Sequence, residues 1–89
     1  MTTSFAIDIR PLFRAKDINC MKPHGVDLGS YDYMSNPDGN SVHANYGNAR
    51  EVLDRLDGTV IPRMPMSGPF WNDDQVALFR RWIDEGCQP

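Results

Sequence analysis

The chain has 89 residues, a net charge of −3 and an apolar fraction of 40%. That is room for one small domain, residues 1–89, whose apolar core is marginal unless a cofactor, metal, disulfide or partner reinforces it. No run of like charge points to nucleic acid or an anionic membrane surface, and no stretch approaches the ~20 apolar residues of a membrane span.

Along the chain, Asp8-Ile9-Arg10-Pro11 predicts a helix start, with Asp8 as cap and Pro11 tolerated in the first turn. Ile9, Leu12 and Phe13 share a face, and the helix is expected to fray near Lys16-Asp17. Cys20 to His24 then forms a turn, where Pro23 biases Lys22 away from helical angles. Ser30 caps one short helical turn over Tyr31–Met34. Asn36-Pro37-Asp38-Gly39 marks an exposed loop. A second main helix is predicted from about Val42 to Leu56 with Ser41 as cap, its apolar stripe being Tyr46, Ala49, Val52, Leu53 and Leu56, and Gly58 stopping it. Thr59 to Trp71 holds Pro62, Pro65 and Pro69, so neither helix nor central strand suits it. Asn72 and Gln75 have the spacing of a capping box opening the last helix, which buries Val76, Phe79, Trp82 and Ile83 and ends at Gly86. The fold class expected is all-α: three main helices, a short helical turn and long ordered loops.

Cys20-Met21-Lys22-Pro23-His24 matches a c-type haem attachment motif, C-x-x-C-H, except that Pro23 stands where the second thioether cysteine belongs. The surrounding sequence strengthens the likeness. Asp8-Ile9-Arg10-Pro11-Leu12-Phe13 is similar to the segment that precedes the haem motif in bacterial class I cytochrome c domains. Arg63-Met64-Pro65-Met66-Ser67-Gly68-Pro69 and the helix from Asp73 to Gly86 resemble the Met-Pro loop and Trp-bearing last helix of the same family. The resemblance covers nearly the whole chain. It implies a cytochrome c-like fold in which the first and last helices cross, so that Phe13 meets Phe79 and Trp82. It assigns Cys20 to the thioether bond, His24 to the proximal iron site and Met64 to the distal one.

Pro23 and the missing sulfur shift the expectation away from haem. So does the opening Met1-Thr2-Thr3-Ser4-Phe5, which lacks the basic start and apolar run of a secretory signal, since covalent haem is normally installed outside the cytoplasm. A cytoplasmic location is expected, and a periplasmic one only if a leader was removed. Without haem its space must be filled. A void costs ~24 cal/mol per Å³, so one of haem size would exceed the stability of so small a domain. Met21, Tyr31, Tyr33, Met34, Met66, Phe70 and Trp71, with Met64, are expected to line or fill that space.

The leading expectation is therefore a haem-less binding or accessory module acting with a protein partner, with no cofactor. The alternative is an electron carrier with single-thioether haem c ligated by His24 and Met64. A second alternative is binding of a small apolar ligand, or an enzymatic role, in the vestigial pocket. Cys20, His24, His43 and Cys87 do not have zinc-finger spacing, so structural zinc is not expected. A thiol enzyme built on Cys20 and His24 lacks a third, orienting group.

Overall fold

The computed structural model describes residues 2–61, 63–65 and 68–89, and no strand occurs among them beyond one isolated bridge between Asp38 and Asn45. The architecture is all-α, as expected. A π-helical turn over Phe5–Ile9 runs into a 3₁₀ turn over Arg10–Leu12. Four α-helices follow: α1 (Ala15–Met21), α2 (Tyr31–Met34), α3 (Gly47–Leu56) and α4 (Asp73–Asp84).

The N-terminal segment departs from the predicted single helix. Ser4, not Asp8, is its cap. The Ser4 hydroxyl accepts a hydrogen bond from the Ile7 N–H at 3.3 Å, and the Asp8 carboxylate reaches back to the Ser4 N–H at 2.8 Å. The chain then breaks at Phe13 and restarts, because the Asp17 carboxylate accepts from the Arg14 N–H at 3.0 Å and opens α1 there. Lys16 and Asp17, expected at a fraying end, thus lie in the first turn of a new helix. Lys22 is also helical (φ −55°, ψ −44°) despite the following proline. Pro23 is the second residue of a 3₁₀ turn over Lys22–His24, where its missing N–H has no helical partner to lose, and Gly25 at φ 76° ends the turn.

Helix α3 begins at Gly47, five residues later than predicted, and Ser41 does not cap it. The Asn40 side chain wins the local competition by accepting from the N–H groups of Val42 and His43, each at 2.9 Å. The His43 ring meets Asp54 Oδ2 at 2.8 Å, which ties this loop to the helix. The chain enters α3 through Tyr46 at φ 48°. Beyond that point the predicted stripe stands: Ala49, Val52, Leu53 and Leu56 are buried. Ser30 caps α2, Asn72 and Gln75 cap α4 reciprocally, and Gly58 and Gly86 follow helix ends with positive φ, all as predicted.

A connected series of aromatic rings joins these elements. Trp71 lies 5.1 Å from Phe13 and 6.0 Å from Phe79, Phe13 lies 6.2 Å from Phe79, and Phe79 lies 5.6 Å from Trp82. Phe5 continues the series, 5.5 Å from both Trp82 and Tyr31. The expected meeting of Phe13 with Phe79 is therefore present, while Phe5 takes the place beside Trp82. Truncating one such buried ring costs about 3–5 kcal/mol, a large share of a small domain's stability. The C-terminal tail is held to the same core: the Trp82 indole donates to the Gln88 carbonyl at 2.8 Å and the Tyr31 hydroxyl to the Cys87 carbonyl at 2.7 Å.

Gly47 offers a test of the α3 start. A Cβ there would stand 2.7 Å from Asn40 Nδ2 and 2.9 Å from its Cγ. Gly→Ala in a helix ordinarily gains about 0.5–1 kcal/mol. Here Gly47→Ala displaces the side chain that holds the loop, so urea unfolding is expected to show a net loss of stability.

Candidate functional site

The end of α3 places the loop that carries Met64. A helix leaves its last four carbonyls without internal partners. Here each finds one: Leu53 O accepts from the Asp57 N–H at 3.0 Å, Asp54 O from Val60 at 3.0 Å and Arg55 O from Met64 at 2.9 Å. The Leu56 carbonyl accepts from the Arg63 guanidinium at 3.3 Å. The loop is thereby folded back on the helix end. Met64 is only 2% exposed, and the cis Met64–Pro65 peptide follows it.

Met64 meets the end of α1. A cavity of about 10 Å³ is lined by Phe13, Asp17, Cys20, Met21, Leu56, Met64, Pro65 and Trp71. That space holds about one water molecule. On α1, Asp17 and Met21 share a face at i, i+4, and Cys20 lies beside them at i+3 from Asp17. Cys20 is exposed and forms the rim, whereas Met21 and Trp71 are buried.

The three residues that the resemblance assigns to haem are not gathered as a ligand set. Cys20 and Met64 share the cavity. His24 is exposed on the 3₁₀ turn and does not line it. As arranged, these residues and this volume do not fit a porphyrin.

The residues expected to fill the space divide. Met21, Met64 and Trp71 line the cavity. Met34 is fully buried but away from it, in the core that Tyr31 and Tyr33 partly cover. Tyr31 and Tyr33 are half-buried; burial, with the charges of Glu51 and Asp27, raises the Tyr33 pKa. Phe70 corrects the expectation most clearly: it is 51% exposed, with the Arg63 guanidinium 4.6 Å from its ring centre. It borders an outer groove of about 130 Å³ with Leu12, Pro69 and Gln75. The expectation for Met66 lies outside the described residues, as do Pro62 and Ser67.

Sequence reasoning missed Asp17, which is 6% exposed and borders both cavities. The Arg14 guanidinium grips it with two bonds, Nε at 3.0 Å and Nη2 at 2.8 Å. That pairing holds the Asp17 carboxyl below its usual range against the opposing effect of burial, and raises Arg14. The i, i+3 spacing of opposite charges was the available signal. The two cysteines differ sharply. Both are free thiols, but Cys87 is buried, and burial pushes it up to about 11. Among the described residues no group of three or more His, Cys, Asp and Glu side chains is placed to hold a metal ion.

Two outcomes follow from this chemistry. Cys87 stays protonated near neutral pH, and the thiolate is the reactive form. A thiol-reactive chromophore is therefore expected to modify one cysteine in the native protein and two after denaturation, with Cys20→Ser removing the native reaction. For Asp17, the folded pKa lies below the unfolded value of ~3.9, so its contribution is present above that pH and is lost as pH falls through the folded value. Asp17→Asn is expected to cost about 1 kcal/mol at pH 7, and the difference from wild type is expected to shrink in urea unfolding below about pH 4.

No protein-family model, curated protein or solved structure matches the chain, which leaves the chemistry of the site to indicate function.

Proposed function

We propose that this chain is a haem-less, cytochrome c-like binding module that acts with a protein partner. The supporting observation is the interior between Cys20 and Met64. Met21, Met64, Leu56 and Trp71, with Phe13 and Pro65, close on about 10 Å³. His24, the residue that would carry an iron's proximal bond, stands outside on an exposed turn. Pro23 is consistent with this reading, since it removes the second thioether sulfur. The cavity is also far below the ~300 Å³ at which pockets for small organic ligands begin, which weighs against an apolar metabolite or an enzyme substrate at this place. No helix among the described residues is long and apolar enough to cross a membrane.

The surface that supports a partner is the outer side of the same loop. An exposed Phe beside an Arg, next to prolines and a groove, is the composition enriched at the centres of protein interfaces. The loop that closes the interior therefore also presents Phe70 outward.

Expression with the covalent haem maturation machinery tests the reading. The purified chain is expected to be colourless, and His24→Ala to leave its unfolding nearly unchanged. A Soret band that survives acid-acetone extraction, and that His24→Ala alters, would establish the electron-carrier alternative instead.

A further inference from the structure

Among the described residues, three that carry sulfur line one cavity. Met21 and Cys20 arrive from the end of α1, and Met64 arrives from the loop clasped by the α3 carbonyls. We propose that Cys20, Met21 and Met64 form a binding site for a single Cu(I) ion.

Four observations support this. First, the donors are one thiol and two thioethers, and soft sulfur ligands select Cu(I) over the harder divalent ions. Second, a space of about 10 Å³ suits one bare ion and excludes chelating organic molecules. Third, apart from Asp17 the remaining walls are apolar (Phe13, Leu56, Pro65 and Trp71), so water reaches a bound metal chiefly from the Cys20 rim, and such a shell tunes affinity and redox state. Fourth, the charges balance. Cu(I) and one thiolate sum to zero, and the Asp17 carboxylate at the cavity edge is already neutralised by Arg14. A divalent ion would leave net positive charge in a low-dielectric place, which is costly. Cys20 on the rim supplies an entry path, because it can take the ion from solvent before the two buried thioethers close on it.

Binding involves no electron transfer. The Cys20 thiol releases its proton to solvent as the sulfur–copper bond forms, each methionine donates a neutral lone pair, and copper enters and stays as Cu(I). The plain alternative is that Met21 and Met64 only fill space, the commonest use of methionine. Met→Leu separates the two, since it keeps volume, typically at under about 1.5 kcal/mol, and removes the sulfur.

The test is anaerobic titration of the reduced full chain with Cu(I) in competition with a chromogenic Cu(I) chelator. One ion per chain is expected to be withheld from the chelator. Cys20→Ser is expected to abolish this, and Met21→Leu and Met64→Leu each to weaken it by more than the ~10–100-fold typical of losing an outer-shell partner. Cys87→Ala, away from the cavity, is expected to bind as wild type does. X-ray absorption on the wild-type complex is expected to show a sulfur-only shell, a readout that needs no variant to fold. Complete stripping of copper by the chelator, equal loss in Cys87→Ala and Cys20→Ser, or nitrogen and oxygen neighbours in the copper shell would overturn the proposal. The reading of the chain as haem-less rests on a different spectrum and is untouched by any of these results.

Discussion

The contact on which the rest of the molecule depends is the packing of Phe13 and Trp71 against Phe79. It joins three parts of the chain that no local interaction would bring together: the break after the N-terminal turns, the end of the proline-rich loop and the middle of α4. Trp82 and Phe5 extend it to the N-terminal segment, and Tyr31 extends it to α2 and the C-terminal tail. Large rings suit this task in a chain of 89 residues. Each buries much area at little rotamer cost, and offset or tilted ring pairs add about 0.5–1.5 kcal/mol beyond area. A short chain with few apolar residues thereby obtains one continuous core.

The second constraint is the hydrogen-bond requirement of the α3 C-terminus. Four carbonyls need donors, and three of the four draw them from the loop at Val60, Arg63 and Met64. The loop's path, and with it the depth of Met64, follows from an obligation of the backbone rather than from side-chain fit alone. Pro65 and Pro69 reduce the freedom the loop must lose on folding. Two consequences meet in one segment: a thioether is delivered to the interior beside Cys20, and Phe70 is left outside under the Arg63 guanidinium. An inward sulfur and an outward aromatic are the two features on which the proposed copper site and the proposed partner surface rest.

Cys20 and Cys87 show how far position, rather than residue type, decides chemistry. One lies on the rim of the cavity, where reagents and ions can reach it. The other sits beneath the Tyr31 hydroxyl contact in the core, where desolvation suppresses its thiolate. Asp17 is the converse case. A carboxylate so deeply buried is tolerable because Arg14 supplies a backbone N–H and two guanidinium bonds to it. The cavity edge therefore carries a fixed, compensated charge.

By itself, the sequence determined the helical class, the caps at Ser30, Asn72 and Gln75, the stops at Gly58 and Gly86, and the buried stripes of α3 and α4. These are set by spacing and by side chains within a few residues, so they can be read without the rest of the chain. The resemblance, rather than any local pattern, grouped Cys20, Met21, Met64 and Trp71, and it grouped His24, Tyr31, Tyr33, Met34 and Phe70 with them, none of which lines that cavity. The tertiary structure alone decided the break at Phe13, the late start of α3 and the burial of Asp17: Asn40 and Arg14 offer local bonds that compete with the predicted helices, and spacing does not say which competitor wins. It also decided which large residues turned inward. Trp71 and Phe70 are adjacent and chemically alike, yet one joins the aromatic core and the other faces solvent. Their difference depends on the loop's path across the end of α3, and no pattern within the loop encodes that path.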